Sequence, residues 1–234
     1  MDDMIRVRKA GPEDADAVTK VLITAMPQDR GWYDYRFPYR EDHPDDHSKF
    51  SGILVKTWIS PEFDDLVVLV AECWDASAGR WEVASFAVWD LTYLNIRKFG
   101  VGYKPASAAD ILAQAGAGTR RDANPSHARE HFRAYYEGRT AFLDSRFGTE
   151  QMHLQALGTH PSYLRRGLAR RLCQWGMDQA ARDGAVVTLV ASPMGRNVYP
   201  RLGFEELGII TVQVEGEEEK TELTAMAWDP KKHS

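Results

Sequence analysis

The sequence predicts a mixed α/β fold in which helices flank one sheet, and three features support this prediction. Two apolar stretches joined by the turn SAGR are typical of an antiparallel hairpin. Two more strands near the end of the chain flank the acidic turn EGEEE. Between these pairs, a strand, an arginine-rich helix and an apolar strand follow one another directly. We expect one domain over residues 1–234, without internal repeats.

The first half of the chain alternates between strand and helix patterns. Its opening strand precedes a helix that Asp14 is predicted to cap, because aspartate is a favoured residue at that position. A stretch crowded with aromatic, proline and charged residues then predicts a surface loop. In order, the predicted elements are strand 4–10, a helix from Asp14 to about Met26, loop 27–48, a helix from about Asp46 to Trp58, and hairpin strands 64–72 and 81–91.

The second half starts with a segment of few apolar residues, 95–124, whose linker-like composition predicts an insertion. A helix over 126–148 follows, for which Ser126 is a plausible cap. The seven residues AVVTLVA contain no charge, which is typical of a strand covered on both faces. The remaining predicted elements are strand 150–160, the arginine-rich helix, the AVVTLVA strand 185–191, and strands 202–214 and 220–228.

Composition and charge exclude several classes of protein. No run approaches the roughly 18 apolar residues of a membrane span, and the charged N-terminus does not resemble a signal peptide, so we expect a cytoplasmic protein without a membrane partner. The formal charge of −5 argues against a nucleic-acid partner. Cys73 and Cys173 lie in apolar patterns typical of buried free thiols.

The loop 27–48 contains residues that could suggest two kinds of site. The spacing of its histidines and acids fits no established metal pattern, so we predict no metal; these residues are Asp42, His43, Asp45, Asp46 and His47. Its aromatic residues are able to wall a pocket for a cationic or apolar acceptor, or to form the core of the loop itself; they are Trp32, Tyr33, Tyr35, Phe37 and Tyr39.

The stretch HPSYLRRGLARRL places arginines and one glycine where a strand ends and a helix begins. A helix N-terminus has unpaired backbone N–H groups and a positive dipole end, which together bind anions. Gly167 and Ala169 are small enough to let a phosphate or pyrophosphate approach that backbone. A solvated basic helix face that binds nothing is the alternative interpretation of the same residues.

Two motifs at matching spacing favour the anion site. Residues 150–214 contain the loop YLRRGLA and, after the next strand, SPMGRNVYPRLGF, in which Tyr199 precedes Leu-Gly-Phe. This block resembles the GNAT superfamily of acyl-CoA-dependent N-acyltransferases, and most closely small fungal GNAT-domain proteins. Members use a pyrophosphate loop of the form Gln/Arg-x-x-Gly-x-Gly/Ala after a bulged strand. Leu164 departs from this pattern, because it stands where Gln or Arg is usual, and Arg165 or Arg166 is able to compensate.

The resemblance implies a twisted, mostly antiparallel sheet that splays to hold acyl-CoA, with acetyl-CoA as cosubstrate. It assigns the thioester carbonyl to the backbone N–H of Leu157, with Thr159 as a further backbone partner. Tyr199 would protonate the leaving thiol, unless it only packs under the Leu-Gly-Phe turn. The implied cofactor-binding residues are Leu157, Gly158, Thr159, Leu164, Arg165, Arg166, Gly167, Leu168, Ala169, Ser192 and Tyr199.

The resemblance also points to a catalytic base. His153 falls at the strand position where several GNAT members place a glutamate or histidine, and its unperturbed pKa near 6.5 suits neutral pH. Gln155 follows two residues later, and we expect it on the same strand face, able to orient the amine or a water molecule. Glu150, Glu72 and bulk water are the alternative bases.

The implied function is transfer of an acetyl group from acetyl-CoA to the amine of a small molecule. A protein-directed N-acetyltransferase would use the same cofactor site but needs an open groove for a peptide. A non-catalytic acyl-CoA-binding module is the third reading, which Leu164 favours and Tyr199 opposes.

Overall fold

The computed structural model describes residues 4–105 and 107–232. The predicted domain, 1–234, therefore extends past the described residues at both ends, and residue 106 of the predicted insertion also lies outside them. The strands are β1 (Ile5–Lys9), β2 (Leu66–Asp75), β3 (Arg80–Asp90), β4 (Gln151–Thr159), β5 (Val186–Ala191), β6 (Glu205–Gln213) and β7 (Lys220–Trp228). The helices are α1 (Ala15–Ala25), α2 (Arg30–Arg36), α3 (Pro44–Ile59), α4 (Thr92–Phe99), α5 (Ala108–Gln114), α6 (Pro125–Arg139), α7 (Ser145–Phe147) and α8 (Leu168–Asp183).

The seven strands form one sheet in the order β1-β2-β3-β4-β5-β7-β6. Only the central pair, β4 and β5, is parallel; every other neighbouring pair is antiparallel. The β2–β3 and β6–β7 hairpins are those that the sequence predicts, and α8 is the crossover between β4 and β5. The predicted mixed, mostly antiparallel sheet with flanking helices is therefore confirmed.

A β-bulge interrupts the pairing of β4 with β3. Trp89 pairs with Leu154, and the preceding β3 residue, Val88, pairs with Ala156. Gln155 is therefore an extra residue without a partner on β3. The parallel pairing of β4 with β5 also stops here, at Leu154. Beyond this point β4 pairs with β3, while β5 pairs with β7. The sheet therefore opens between its two central strands.

Helices cover both faces of the sheet. The buried face of α8 packs on the largest apolar cluster, which includes Trp89, while α1 and α3 cover the other face around Val70. A Cβ added at Gly176 would lie 2.3 Å from the Trp89 ring, so only glycine lets α8 approach the sheet this closely. The cysteines Cys73 and Cys173 are buried and free, as predicted.

Two segments that the sequence predicts as irregular are partly helical and well anchored. The loop 27–48 contains α2 and the start of α3, and its Tyr33 and Tyr35 are buried. Most of the segment 95–124 lies in helices or turns, and its Asp122 is fully buried. Asp122 accepts two hydrogen bonds from Arg120 and contacts Nδ1 of His47 at 2.7 Å. The contact between Asp122 and His47 ties the predicted insertion to α3.

Two predicted helix caps are wrong. The Asp14 carboxylate does not cap α1; it accepts the backbone N–H of Gly11 and two hydrogen bonds from Arg8, an ion pair that satisfies it locally. Helix α6 begins at Pro125, and the side chain of Asn124, not Ser126, accepts the first backbone N–H groups. Because proline needs no acceptor for its nitrogen, Asn-Pro is a suitable helix start.

The acidic turn that follows β6 is anchored at one residue. Glu217 accepts a hydrogen bond from Nε2 of His127 at 2.6 Å, and Nδ1 of the same ring donates to the carbonyl oxygen of Tyr35 at 2.8 Å. Since both partners are acceptors, the ring must be protonated on both nitrogens. Burial alone would lower the pKa of His127, but the hydrogen bonds to Glu217 and Tyr35 raise it above 6.5 overall.

We predict that this contact makes stability depend on pH. The raised pKa means that protonated His127 stabilises the fold below pH 6.5, and that this contribution disappears as pH rises through the folded-state pKa. Glu217→Gln should lower the free energy of unfolding by roughly 1 kcal/mol at about pH 6 and by less at about pH 9. Urea unfolding at the two pH values measures this difference. The neighbouring variant Glu218→Gln is the control, and an equal loss in both variants would contradict the assignment.

Candidate active site

The opening between β4 and β5 brings together most of the residues predicted to bind the cofactor. Leu157, Gly158 and Thr159 lie on β4 beyond the bulge, where the strand keeps β3 as its partner. Ser85 on β3 donates a hydrogen bond to the carbonyl oxygen of Gly158 at 2.7 Å and contacts the Thr159 hydroxyl at 2.8 Å. These contacts hold the open part of β4 on one side and leave its other edge facing the cleft.

Helix α8 begins beside this cleft without a capping side chain. Gly167 stands at its N-cap in a left-handed conformation, with φ of 78°, and Arg165 has the same sign of φ, 62°. The backbone N–H of Arg171 donates to the carbonyl oxygen of Gly167, so the N–H groups of the first helical turn, before Arg171, have no acceptor within the helix. An uncapped helix start among arginines has the positive charge and the backbone donors with which proteins bind anions.

A surface depression of about 360 Å³ lies at this helix start, and its lining residues are Arg166, Gly167, Arg170, Arg171 and Gln174. The loop before it is fixed by Tyr163, whose hydroxyl donates to Glu82 on β3 at 3.2 Å. The Arg166 guanidinium lies 5.0 Å from the Tyr163 ring centroid. Leu164, in contrast, points outward and is 53% exposed. Tyr163 and Glu82 could not be found from the sequence, because no local pattern links a loop tyrosine to a strand residue 81 positions earlier.

Tyr199 lies on the other side of the opening, in the short turn after β5. Its ring is buried and packs against Phe204 with 5.6 Å between ring centroids. Burial and then the nearby Cys173 thiol raise the pKa of Tyr199 far above its usual value, so the hydroxyl keeps its proton at neutral pH. A Cβ added at Gly195 would lie 3.3 Å from both the Tyr199 ring and Oγ of Ser192. Gly195 therefore lets these two predicted site residues sit close together.

His153 is completely buried at the end of a chain of hydrogen bonds. Its Nε2 contacts the hydroxyl of Tyr135 at 2.7 Å, and its Nδ1 contacts the hydroxyl of Thr188 at 2.9 Å. Thr188 donates to Oε1 of Gln151 at 2.8 Å, and Nε2 of Gln151 donates to the carbonyl oxygen of Gly148 at 2.7 Å.

The direction of every bond in this chain follows from its last member. A carbonyl oxygen can only accept, so the amide nitrogen of Gln151 faces Gly148 and its oxygen faces Thr188. The single proton of the Thr188 hydroxyl is then used, and His153 must carry its proton on Nδ1. Nε2 of His153 is consequently unprotonated and accepts the hydroxyl proton of Tyr135.

The surroundings of His153 differ from those expected of an exposed base. Burial, and then the charge of Arg139, hold the pKa of His153 well below 6.5. Nε2 reaches an acceptor amine directly only if Tyr135 moves away. Gln155 is exposed whereas His153 is buried, because the bulge at Gln155 interrupts the strand alternation that would have given them the same surroundings.

The two alternative carboxylate bases are both paired with arginines. Glu72 is buried on β2 and accepts hydrogen bonds from Arg6 and Arg8. Glu150 lies at the surface and pairs with Arg97. Each carboxylate therefore already has a cationic partner that stabilises its ionised form.

The aromatic residues of loop 27–48 divide into two groups. Tyr33 and Tyr35 are buried core residues, whereas Tyr39 is exposed. Trp32 packs against the same apolar cluster as Val190 of β5, which lies beyond the point where β5 leaves β4. Two of the five residues considered for a metal have protein partners: the Tyr33 hydroxyl contacts His47, and Asp46 accepts hydrogen bonds from Arg121.

Comparisons with known proteins agree with this geometry. Residues 115–229 match the acetyltransferase (GNAT) domain family. No curated protein matches the chain in sequence. None of the helices in the described ranges is long and apolar enough to cross a membrane.

Solved structures of acetyltransferases share the fold over nearly the whole chain. A Drosophila melanogaster polyamine N-acetyltransferase that forms N-acetylagmatine superposes with a TM-score of 0.59 at 14% identity, covering 96% of this chain and 99% of its own. A protein described as histone acetyltransferase HPA2 and related acetyltransferase, from Corynebacterium glutamicum, gives 0.54 at 18% identity and 97% of both chains. The PaiA N-acetyltransferase of Thermoplasma acidophilum, in complex with coenzyme A, superposes with a TM-score of 0.51 at 13% identity. The match covers 96% of this chain and 98% of that chain.

The chain thus has the GNAT fold, as its motifs predict. More particularly, residues 115–229 match the GNAT acetyltransferase domain, a family of acyl-CoA-dependent N-acyltransferases.

We predict that the helix start binds CoA through its backbone. Gly167→Ala should cost about 1 kcal/mol in stability, because its φ of 78° is unfavourable for alanine. It should lower CoA affinity at least about tenfold, because the added methyl group occupies open space through which a phosphate would approach the N–H groups. Gly216→Ala is the matched control, since Gly216 has a φ of 83° in the β6–β7 turn and equally open surroundings. Calorimetry with CoA separates the two variants; equal affinities would contradict the assignment of this loop.

Proposed function

We propose that the protein transfers the acetyl group of acetyl-CoA to the amine of a small molecule. The observation that carries this proposal is the meeting of three features at one opening of the sheet: the uncapped start of α8, the exposed edge of β4 beyond Leu154, and the protonated hydroxyl of Tyr199. An anion site, a row of backbone donors and a proton donor are what acyl transfer from a thioester requires.

In this proposal the loop and helix start hold the cofactor. The N–H groups of Gly167, Leu168 and Ala169 bind the pyrophosphate, and Arg165 and Arg166 attract it over a longer range. Backbone groups of Leu157 to Thr159 orient the thioester, and the hydroxyl of Ser192 contacts the pantetheine. Exposed Leu164 has no polar contact to offer, so the backbone carries the binding that a Gln or Arg side chain would share.

Acetyl-CoA supplies the activated acetyl group, and the protein manages two protons. The carbon–sulfur bond breaks as the carbon–nitrogen bond forms, the amine loses one proton, and the thiolate gains one. Tyr199 donates the proton to the leaving sulfur as negative charge develops there, since its hydroxyl carries a proton at neutral pH.

His153 accepts the amine proton through Tyr135. The amine proton passes to the Tyr135 oxygen while the hydroxyl proton of Tyr135 moves to Nε2 of His153, which already accepts that hydrogen bond. Gln155, exposed at the bulge, orients the amine or a water molecule. This route uses the hydrogen-bond direction that Gly148 fixes at the far end of the chain.

A small-molecule acceptor is supported by one relative, since the Drosophila polyamine N-acetyltransferase acts on agmatine. A protein acceptor is the second candidate, and the relative described as a histone acetyltransferase favours it. Release of CoA, measured over a panel of amines, polyamines, amino acids and histone peptides, decides between them. A chain that binds CoA but acetylates no member of the panel would be a binding module instead.

Removal of the Tyr199 hydroxyl should slow the chemical step. Tyr199→Phe keeps the buried ring and its contact with Phe204, so CoA affinity should stay nearly constant while kcat falls roughly a hundredfold to ten-thousandfold. Tyr93→Phe is the control, because Tyr93 is also buried but donates its hydrogen bond to the distant Asp183. Single-turnover kinetics give the rate of the chemical step, and an unchanged rate in Tyr199→Phe would leave this tyrosine a purely structural role.

The base assignment predicts the pH profile of kcat/KM. Because the pKa of His153 lies well below 6.5, the base is unprotonated throughout the neutral range, and activity assigned to it should fall only as pH drops below that lowered pKa. A limb at higher pH belongs to the acceptor amine and should shift with its basicity. Tyr135→Phe and His153→Ala should both lower kcat, whereas Tyr33→Phe, which removes a similar hydroxyl from His47, should not. Full activity in Tyr135→Phe would contradict the relay.

A further inference from the structure

Helix α2 buries a cation that has no carboxylate partner. Arg36 is only 9% exposed, and among the described residues no carboxylate oxygen lies within 4 Å of its guanidinium nitrogens. The guanidinium lies instead over the ring of Trp32, 4.0 Å from the centroid, and 5.1 Å from that of Phe37. Burial lowers the pKa of Arg36 to about 10, which still leaves the side chain charged at neutral pH.

Three polar atoms around this guanidinium lack hydrogen-bond partners. They are Nε of Arg36, Nε1 of Trp32 and Nδ1 of His131, which lies on the facing helix α6. The first two atoms can only donate, so they cannot satisfy each other. Burial and then the charge of Arg36 hold the pKa of His131 well below 6.5, so this ring adds no charge. His131 makes no hydrogen bond through Nδ1, so neither donor has an acceptor, and an anionic ligand would supply acceptors to both.

A hydrogen bond at the start of α2 places the cluster near the turn that follows β5 and carries Tyr199. Helical side chains lean towards the N-terminus of their helix, and the Arg36 guanidinium accordingly reaches back over Trp32. One turn further back is Asp29, whose carboxylate accepts the backbone N–H of Met194 at 2.7 Å. Met194 follows β5 and is next to Gly195, where an added Cβ would lie 3.3 Å from the Tyr199 ring. Trp32 and Val190 of β5 also pack against the same apolar cluster.

We infer that the acyl acceptor is an amine that also carries a carboxylate, and that Arg36, with Nε1–H of Trp32, binds this carboxylate. The inference rests on the proposed function and names its substrate class. A carboxylate supplies the acceptors that the two donors lack and neutralises the buried charge, which the aromatic rings offset only in part. Asp29 cannot replace it, because its carboxylate is held by Met194 beyond ion-pair distance of Arg36.

The inference is tested with acceptor pairs that differ only in the carboxylate: arginine and agmatine, and phenylalanine and phenethylamine. Release of CoA at saturating acetyl-CoA gives kcat/KM for each member. The wild type should prefer the carboxylate-bearing member of a pair by about a hundredfold. Arg36→Gln should abolish this preference mainly through KM, and Arg36→Lys should restore part of it. Arg40→Gln is the matched control, since Arg40 follows α2 but is paired with Asp34 at 2.7 Å.

Preference for agmatine or phenethylamine in the wild type, or a preference that Arg36→Gln leaves unchanged, would overturn the inference while leaving the proposed function intact. If no acceptor reacts although CoA binds, the proposed function fails. Thermal shift with N-acetylarginine and N-acetylagmatine then decides the inference separately. Stabilisation by the carboxylate-bearing ligand alone, lost in Arg36→Gln and kept in Arg40→Gln, supports it; equal or absent shifts reject it.

Discussion

Gln155 is one residue too many for the ladder between β3 and β4, and the arrangement of the site depends on how the sheet accommodates it. Below the bulge, β4 pairs with both neighbours; above it, β4 follows β3 and β5 follows β7. A regular strand would bond to β5 along its whole length and bury the backbone donors that the cleft exposes. Beyond the extra residue, β4 and β5 make no further hydrogen bonds to each other, and a gap opens between the two central strands.

The parts of this molecule that sequence predicts well are those with a local physical signature. Alternation and turn residues identify the hairpins, and a glycine among arginines after a strand identifies the start of α8. Helix α2 is not predicted, because its seven residues carry aromatic side chains on several sides and show no helical period. The Asp14 cap fails because Arg8, on the preceding strand, competes for the same carboxylate. Local spacing in the sequence shows neither the ion pair between Arg8 and Asp14 nor the residues against which α2 packs.

The polar groups inside the site are controlled by partners that are distant in sequence. The protonation of His153 is fixed by the carbonyl of Gly148, through Gln151 and Thr188, although the histidine alone suggests only a pKa near neutrality. The Arg36 cation is likewise defined by what surrounds it, three aromatic rings and no carboxylate within 4 Å among the described residues. The residue type determines which reactions a side chain is able to take part in. The tertiary contacts determine which nitrogen of His153 carries the proton and whether the charge of Arg36 is paired.

The contact between Gly176 and Trp89 has a mechanical consequence for the far end of α8. Gly176 lies about 13 Å along the helix axis from Gly167, so the point of closest approach to the sheet acts as a pivot for the helix start. A tilt of about 10° at this pivot would displace the N–H groups by about 2 Å, more than a hydrogen bond tolerates. The distance between one glycine and one tryptophan ring thus sets the alignment of an anion site that neither residue touches.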